Sequence, residues 1–353
     1  MRGDREKGSH RSHLAKCGTT IGKGASGSRD KQLIGIDLMG SDNPPASLLS
    51  AAATLSPCLP SHIELVAIGS PDYENAAKSH GFSFFPALES IGMDENPLLA
   101  LRKKKQSSLC IGLRLLKEGK LNAFVSAGNT GALVSASKMI LGTFSDISRP
   151  ALLALMPTKK RPVAVLDVGA NLQAKASQLV QFAHLGAAYQ QSRGIANPRI
   201  GLLNIGSEAS KGTSEIRLAY KELTKLPAFA GNIEGKSVFD GEVDVLVTDG
   251  FTGNVFLKTA EGIASLVLDR LHAHIPKNAL NEIGVHLEDL QRHLHYAEHP
   301  GALLCGVKGV VVKCHGYSTP EAFANGIRGA IEFAACNFIE ILKNHLRNCQ
   351  TIQ

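Results

Sequence analysis

Residues 126–131 read Ser-Ala-Gly-Asn-Thr-Gly. They follow the apolar run Ala123-Phe124-Val125 and precede an apolar-periodic segment that reaches Leu141. Strand, tight glycine turn and capped helix is the order this spells. A helix N-terminus offers unbonded N–H groups and a partial positive charge, and small residues let an anion come close. The same composition recurs in turns 37–42, 167–171, 204–213 and 249–254. One such turn alone is only a turn, because Gly and Asn suit turns for backbone reasons. Five of them at strand ends point to one cleft that handles an anion with neutral donors. Lys138, Lys175, Lys211 and Lys258, on or just after these turns, would supply countercharge.

Other chemistries lack their patterns. No Walker A sequence is present, so ATP is not signalled. Gly22, Gly24 and Gly27 match G-x-G-x-x-G, but Cys17-Gly-Thr-Thr stands where a strand is needed and Ser28-Arg-Asp where a helix is needed. Asp37, Asp42, Asp167 and Asp249 would hold Mg²⁺ if they converged; as preferred capping residues they read first as caps. His286, His293, His295 and His299 have no zinc-ligand spacing. No G-x-S-x-G elbow marks a serine hydrolase. Neither a cofactor nor a metal is expected. The seven cysteines are scattered and include no C-x-x-C pair, so they read as reduced thiols of a cytosolic protein.

The elements that must carry these turns follow from the apolar pattern. The chain has 353 residues, 44% of them hydrophobic, with mean hydropathy +0.01; this is ordinary for a globular protein. No stretch approaches the ~18 apolar residues of a membrane span. Trp is absent and aromatics are 5%, so Ala, Val, Ile and Leu must build the core. Net charge is +7, of which +5 lies in residues 1–31. That segment, rich in Gly, Ser, Lys and Arg, reads as a disordered basic extension. The remainder is near neutral, so nucleic acid is not an expected partner.

Strands are predicted at 34–38, 63–68, 123–125, 151–156, 163–166, 199–204, 243–247 and 309–313. Helices are predicted over most of 97–116 and at 130–141, about 171–189 and 216–223, from about Val255, in two amphipathic stretches across 262–294 around Pro276, and over 320–342. Strands alternating with helices argue for an α/β fold with a mainly parallel sheet. The polar turns then gather at the carboxyl edge of that sheet, where such folds bind ligands.

Eight segments occur in order: IDLMGSD, SAGNTGALVSA, RPALLALMPT, LDVGAN, IGLLNIGSE–KG, GNIEG, VTDGFTGNVFLKT and KCHGYS. Together they resemble the phosphate acyltransferase (PlsX) family of bacterial phospholipid synthesis, from about Leu33 to Leu342. The resemblance implies a Rossmann-like α/β/α sandwich related to phosphotransacetylases and isopropylmalate dehydrogenases, forming one domain over 32–346 with a protruding helix pair at 262–294. It implies transfer of an acyl group from acyl carrier protein to inorganic phosphate, giving acyl phosphate for a downstream acyl phosphate:glycerol-3-phosphate acyltransferase at the membrane. It also implies a homodimer in the cytoplasm, peripherally attached to the inner face of the membrane through the helix pair.

Phosphate titrates near neutrality, so it attacks a thioester without a strong protein base. The enzyme must supply positioning and donors for the oxyanion. On that basis Asn129, Lys211, Asn204, Asp249 and Asn254 are the expected catalytic residues. Phosphate and substrate contacts are expected from Asp37, Gly40, Ser41, Asp42, Ser126, Gly128, Thr130, Gly131, Asp167, Gly169, Asn171, Gly206, Glu208, Gly250, Thr252, Gly253 and Lys258. The run Arg102, Lys103, Lys104, Lys105 would dock the acidic carrier protein. The chain departs from the family pattern at Ser41-Asp42-Asn43, where the family usually has Gly-Asp-His, so that His is not obligatory. Another departure is His299-Pro300-Gly301-Ala302, where the family has Tyr-Gly-Gly-Ala. Two rival readings are a metal- and NAD-dependent decarboxylating dehydrogenase, which would need an Arg-rich pocket, and a carrier-protein-binding membrane scaffold without turnover.

Overall fold

The computed structural model describes residues 31–275, 277–294, 301–315 and 319–350. The extension 1–30, the G-x-G-x-x-G pattern inside it, Pro276, His295, His299 and Pro300 lie outside the described residues. Eleven strands form one sheet: β1 (Gln32–Asp37), β2 (Ile63–Gly69), β3 (Ser83–Pro86), β4 (Ala123–Ser126), β5 (Ala151–Met156), β6 (Val163–Leu166), β7 (Ile200–Asn204), β8 (Phe229–Glu234), β9 (Val245–Val247), β10 (Ala302–Cys305) and β11 (Val310–Lys313). Their order across the sheet is β3-β2-β1-β4-β11-β10-β5-β6-β9-β7-β8. The helices are α1 (Pro45–Ala53), α2 (Glu74–Ser79), α3 (Pro97–Lys103), α4 (Ser108–Lys117), α5 (Thr130–Ile140), α6 (Ala176–Ser192), α7 (Ser214–Leu223), α8 (Gly250–His274), α9 (Lys277–Leu294), α10 (Pro320–Ala335) and α11 (Phe338–Gln350).

Most central strands are short apolar runs because both faces are covered. Successive residues feed opposite cores. Ala123 and Val125 join one cluster with Leu179, Phe323 and Phe338, on the side of α1, α6, α7, α10 and α11. Phe124 joins the other, with Ala100, Leu113, Leu133 and Leu257 of α3, α4, α5 and α8. Helix starts follow cap chemistry. Asn129 Oδ1 accepts from Ala132 N, Asp249 from Thr252 N, Thr213 Oγ1 from Ile216 N, and Thr319 Oγ1 from Ala322 N ahead of Pro320.

The sheet is mainly parallel, yet it does not have one carboxyl edge. β3, β2, β1, β4 and β11 run one way, while β6, β9, β7 and β8 run the other. Between them β10 and β5 pair antiparallel with each other and with β11 and β6. Register brings the opposed ends level: Val312 pairs with Leu303, Leu303 with Leu153, and Leu153 with Leu166. The carboxyl ends of two parallel half-sheets therefore point at each other across two antiparallel strands. The expected single edge is corrected to two facing edges.

Two helices also differ from expectation. The segment from Val255 and the first half of the 262–294 pair are one helix, α8, capped by Asp249 six residues before Val255. The predicted closing helix over 320–342 is two, α10 and α11, separated at Cys336-Asn337, where Asn337 takes φ 51°. Asn tolerates the left-handed region better than most residues.

Candidate functional site

A cleft of about 720 Å³ lies where the half-sheets face each other. Its floor includes Leu152 and Ala154 of β5 and Ala302 of β10. Three helix N-termini reach it: Thr130 from α5, Gly250, Phe251 and Asn254 from α8, and Thr319 and Ala322 from α10. Helices of 11, 25 and 16 residues thus aim their positive ends at one space. Lys258, Lys313 and His315 add basic side chains, and Glu261 a carboxylate that lies 2.6 Å from Lys258.

The predicted residues divide into lining, framework and bystanders. Thr130, Gly169, Gly250, Asn254 and Lys258 line the cleft. Asp37, Ser126, Gly128, Asn129, Asp167, Asn171 and Gly253 are buried behind it. Ser126 Oγ donates to Asp37 Oδ2 at 2.8 Å and accepts from Gly128 N at 3.1 Å. Asp37 also accepts from Met39 N. Burial lifts the Asp37 carboxyl to about 6 against these bonds. Gly40, next to this turn, has φ +73° and packs so tightly that a Cβ would lie 2.5 Å from the Ile91 carbonyl oxygen; only glycine suits both demands. Asn129 caps α5 with its oxygen and donates its Nδ2 to the carbonyls of Gly92, Met93 and Glu95. Its side chain ties the 92–95 loop to the helix start.

Asp167 is the second framework hub. It accepts from the backbone N–H groups of Leu152, Gly169, Ala170 and Asn171 and from Asn171 Nδ2. Burial pushes its pKa up and these donors pull it down, with burial larger. Asn171 Nδ2 further bonds the Pro150 carbonyl, and Gly250 N donates to Asn171 O at 2.7 Å. The β6 turn, β5 and the start of α8 are thereby joined. Gly253 allows this approach: a Cβ there would lie 2.0 Å from Asp167 O. Thr252 closes the cap, giving its N–H and Oγ1 to Asp249. Among the described residues no group of three or more His, Cys, Asp and Glu is placed to hold a metal.

Gly40, Ser41, Asp42 and Gly131 stand beside the cleft without lining it. The 204–213 turn stands apart. Asn204 ends β7 and Gly206, Glu208 and Lys211 follow it; β7 is separated from β6 by β9, and none of the four lines the cleft. Asn204 Nδ2 bonds Lys211 O, and Glu208 O accepts from Asn232 Nδ2. Four of the five turns therefore share one region, and the fifth lies lateral to it. In the basic run Arg102, Lys103 and Lys105 are exposed, whereas Lys104 Nζ is held by Glu95 at 2.6 Å and the Ser90 carbonyl. The exposed charge of the run is thus three residues, with Lys104 partly buried.

Lys313, His315 and Thr319 were not among the predicted site residues. Lys313 ends the apolar run Val310–Val312, and a lysine closing a doubly covered strand is a signal in itself. It is 7% exposed. Its Nζ donates to the carbonyls of Ala127 and Cys314. Burial lowers it to about 8. The adjacent Cys314 thiol is pushed up to about 12 by burial, which leaves it a poor nucleophile.

Solved structures share this architecture. A phosphotransacetylase from Streptococcus pyogenes aligns with TM-score 0.57 at 18% identity, over 88% of this chain and 94% of its own. The EutD phosphotransacetylase from Staphylococcus aureus aligns with 0.56 at 16%, over 86% and 94%. A 4-hydroxythreonine-4-phosphate dehydrogenase from Klebsiella pneumoniae aligns with 0.51 at 12%, over 86% and 100%. The fold class is that of the phosphotransacetylases and this dehydrogenase. Sequence narrows it. The profile of the fatty acid synthesis protein family matches residues 33–341, and the chain belongs to that family. Phosphate acyltransferases from Heliobacterium modesticaldum, Chlamydia caviae and Pseudomonas fluorescens are 40%, 42% and 40% identical, covering 89–90% of this chain and 97–98% of theirs. The chain is accordingly one of the phosphate acyltransferases of fatty acid and phospholipid synthesis.

Proposed function

We propose that the protein transfers an acyl group from the thioester of acyl carrier protein to inorganic phosphate. The supporting observation is the convergence of three helix N-termini on a cleft with an apolar floor. Helix ends suit the phosphate, and the floor suits the chain attached to the carbonyl. A phosphate oxygen attacks the thioester carbon, forming C–O. The C–S bond then breaks, and the proton of hydrogen phosphate passes to the departing sulfur. Preorganised N–H groups at the α5 and α8 starts would stabilise the tetrahedral oxyanion, with Thr130 and Asn254 beside them. Buried Ser126 and Cys314 support direct transfer over a covalent acyl-protein.

Arg102, Lys103 and Lys105 would meet the acidic carrier protein. Leu172 and Phe251 at the cleft, then Val255, Ile263 and Leu266 along α8, are exposed. That stripe supports peripheral attachment of a cytoplasmic homodimer to the inner face of the membrane, where an acyl phosphate:glycerol-3-phosphate acyltransferase would receive the product. No helix among the described residues is long and apolar enough to cross a membrane. The test is release of free carrier protein from acyl-acyl carrier protein on adding phosphate alone. Release is expected with no nucleotide; absence of release refutes the reading.

A further inference from the structure

Lys313 is a cation placed where cations are costly. It is buried at the end of β11, with its side chain on the cleft wall. Its two hydrogen bonds go to neutral carbonyls, of Ala127 and Cys314. Among the described residues no carboxylate forms an ion pair with it. A buried ammonium with no carboxylate in direct contact is unfavourable, and burial has already shifted its protonation downward. The Ala127 bond fixes Nζ under the 126–131 turn that starts α5. The missing negative charge would therefore sit between Lys313 and the α5 N-terminus.

We propose that Lys313 is the cation that takes the phosphate as its dianion, its Nζ held by the Ala127 and Cys314 carbonyls beside the α5 N-terminus. The inference rests on the reading of the cleft as a phosphate site. The groups around Lys313 are consistent with it. Asp37 and Asp42 lie on the β1 side, Lys258 and Glu261 on α8, and Cys314 and His315 on its own segment. Asp37 is turned to Ser126 and Met39, and Glu261 is paired with Lys258. Asp37 and Asp42 attract Lys313 from a distance, but among the described residues neither of them, nor Glu261, forms an ion pair with it. His315, lowered by burial, is neutral in alkaline solution and takes no part in uptake there.

The proton balance changes sign with pH. Near pH 7 Lys313 is already charged, and binding the dianion draws a proton off the monoanionic fraction of phosphate. Near pH 9 the phosphate is already a dianion and free Lys313 is mostly neutral, so binding takes up close to one proton.

The test is titration calorimetry of inorganic phosphate into the full chain at pH 9, in buffers of differing ionisation enthalpy. The wild type should take up nearly one proton per phosphate. Lys313→Arg, always charged, should bind without uptake. Lys313→Met, checked as folded by circular dichroism, should bind at least about tenfold more weakly, the loss expected for one charge-assisted contact. As a readout free of substitutions, phosphate should slow acetylation of Lys313 by trace acetic anhydride at least about tenfold. If both variants bind as the wild type does with the same uptake, or acetylation is unprotected, Lys313 is not the phosphate cation although the site reading survives. If the wild type binds no phosphate, both fall.

Discussion

Replacing Lys313 by methionine should leave its mark on stability as a function of pH. Free of ligand, the lysine is charged in the unfolded chain up to pH 10.5 but in the folded chain only to about 8. Below pH 8 both states carry the proton, and folding bears the full cost of burying it. Between pH 8 and 10.5 the folded state binds fewer protons than the unfolded, so stability rises with pH. Above 10.5 the cost is gone. A gap of roughly 2.5 units at 1.36 kcal/mol each is about 3 kcal/mol. Lys313 is almost fully buried, so solvent screening removes little of this. Urea unfolding of wild type and Lys313→Met across pH 7 to 11 isolates it. Lost packing and the orphaned carbonyls shift the variant by a constant, whereas the titration changes the difference between the two curves. Wild type should gain about 3 kcal/mol on the variant over the window. A difference flat with pH would show that the ammonium is not buried in the folded state, and the case for its missing countercharge would go with it.

Other consequences are as direct. Gly253→Ala drives a methyl into the Asp167 carbonyl and should cost about 3 kcal/mol, read as a lower urea midpoint; an unchanged midpoint would mean α8 can slide off the β6 turn. Asn129→Ala removes a cap and the clamp on 92–95, so turnover should fall at least about tenfold while the fold survives a loss of ~1 kcal/mol; unchanged kinetics would free the α5 start from any role. Ile263→Glu with Leu266→Glu should abolish sedimentation with anionic liposomes without altering turnover of soluble substrate, and persistent binding would exclude the α8 face as the anchor.

Much of this is legible in the sequence. β5 and β6 match the apolar runs 151–156 and 163–166 residue for residue, because strands buried on both faces leave no polar positions to blur their ends. The caps Asn129 and Asp249 were readable for the same local reason. Strand direction was not read, since it arises from pairing. A clue was present: the connection 157–162 is too short for a parallel crossover, so β5 and β6 had to be antiparallel. The 204–213 turn resembles its companions in composition, yet the order β6-β9-β7 sets it aside, which composition does not encode. Lys313 does not stand out as a site residue because lysine ordinarily lies at the surface; only its place after three valines argues otherwise. The separation of α10 from α11 carries neither Gly nor Pro and depends on Asn337 accepting a positive φ.

The sheet's centre is assembled from the end of the chain. β4 and β5 are made early, but β10 and β11, which stand between them, come only with residues 302–313. Until that part leaves the ribosome, each of the two earlier strands has an open apolar edge, a template for pairing with another chain. Closing the sheet requires contacts of long sequence separation, which form slowly. A chain stopped before residue 302 would keep most of its helices and the β5 part of the floor, but neither Ala302 nor Lys313. Such fragments would aggregate before they could act, so synthesis of the last fifty residues decides both solubility and chemistry at once.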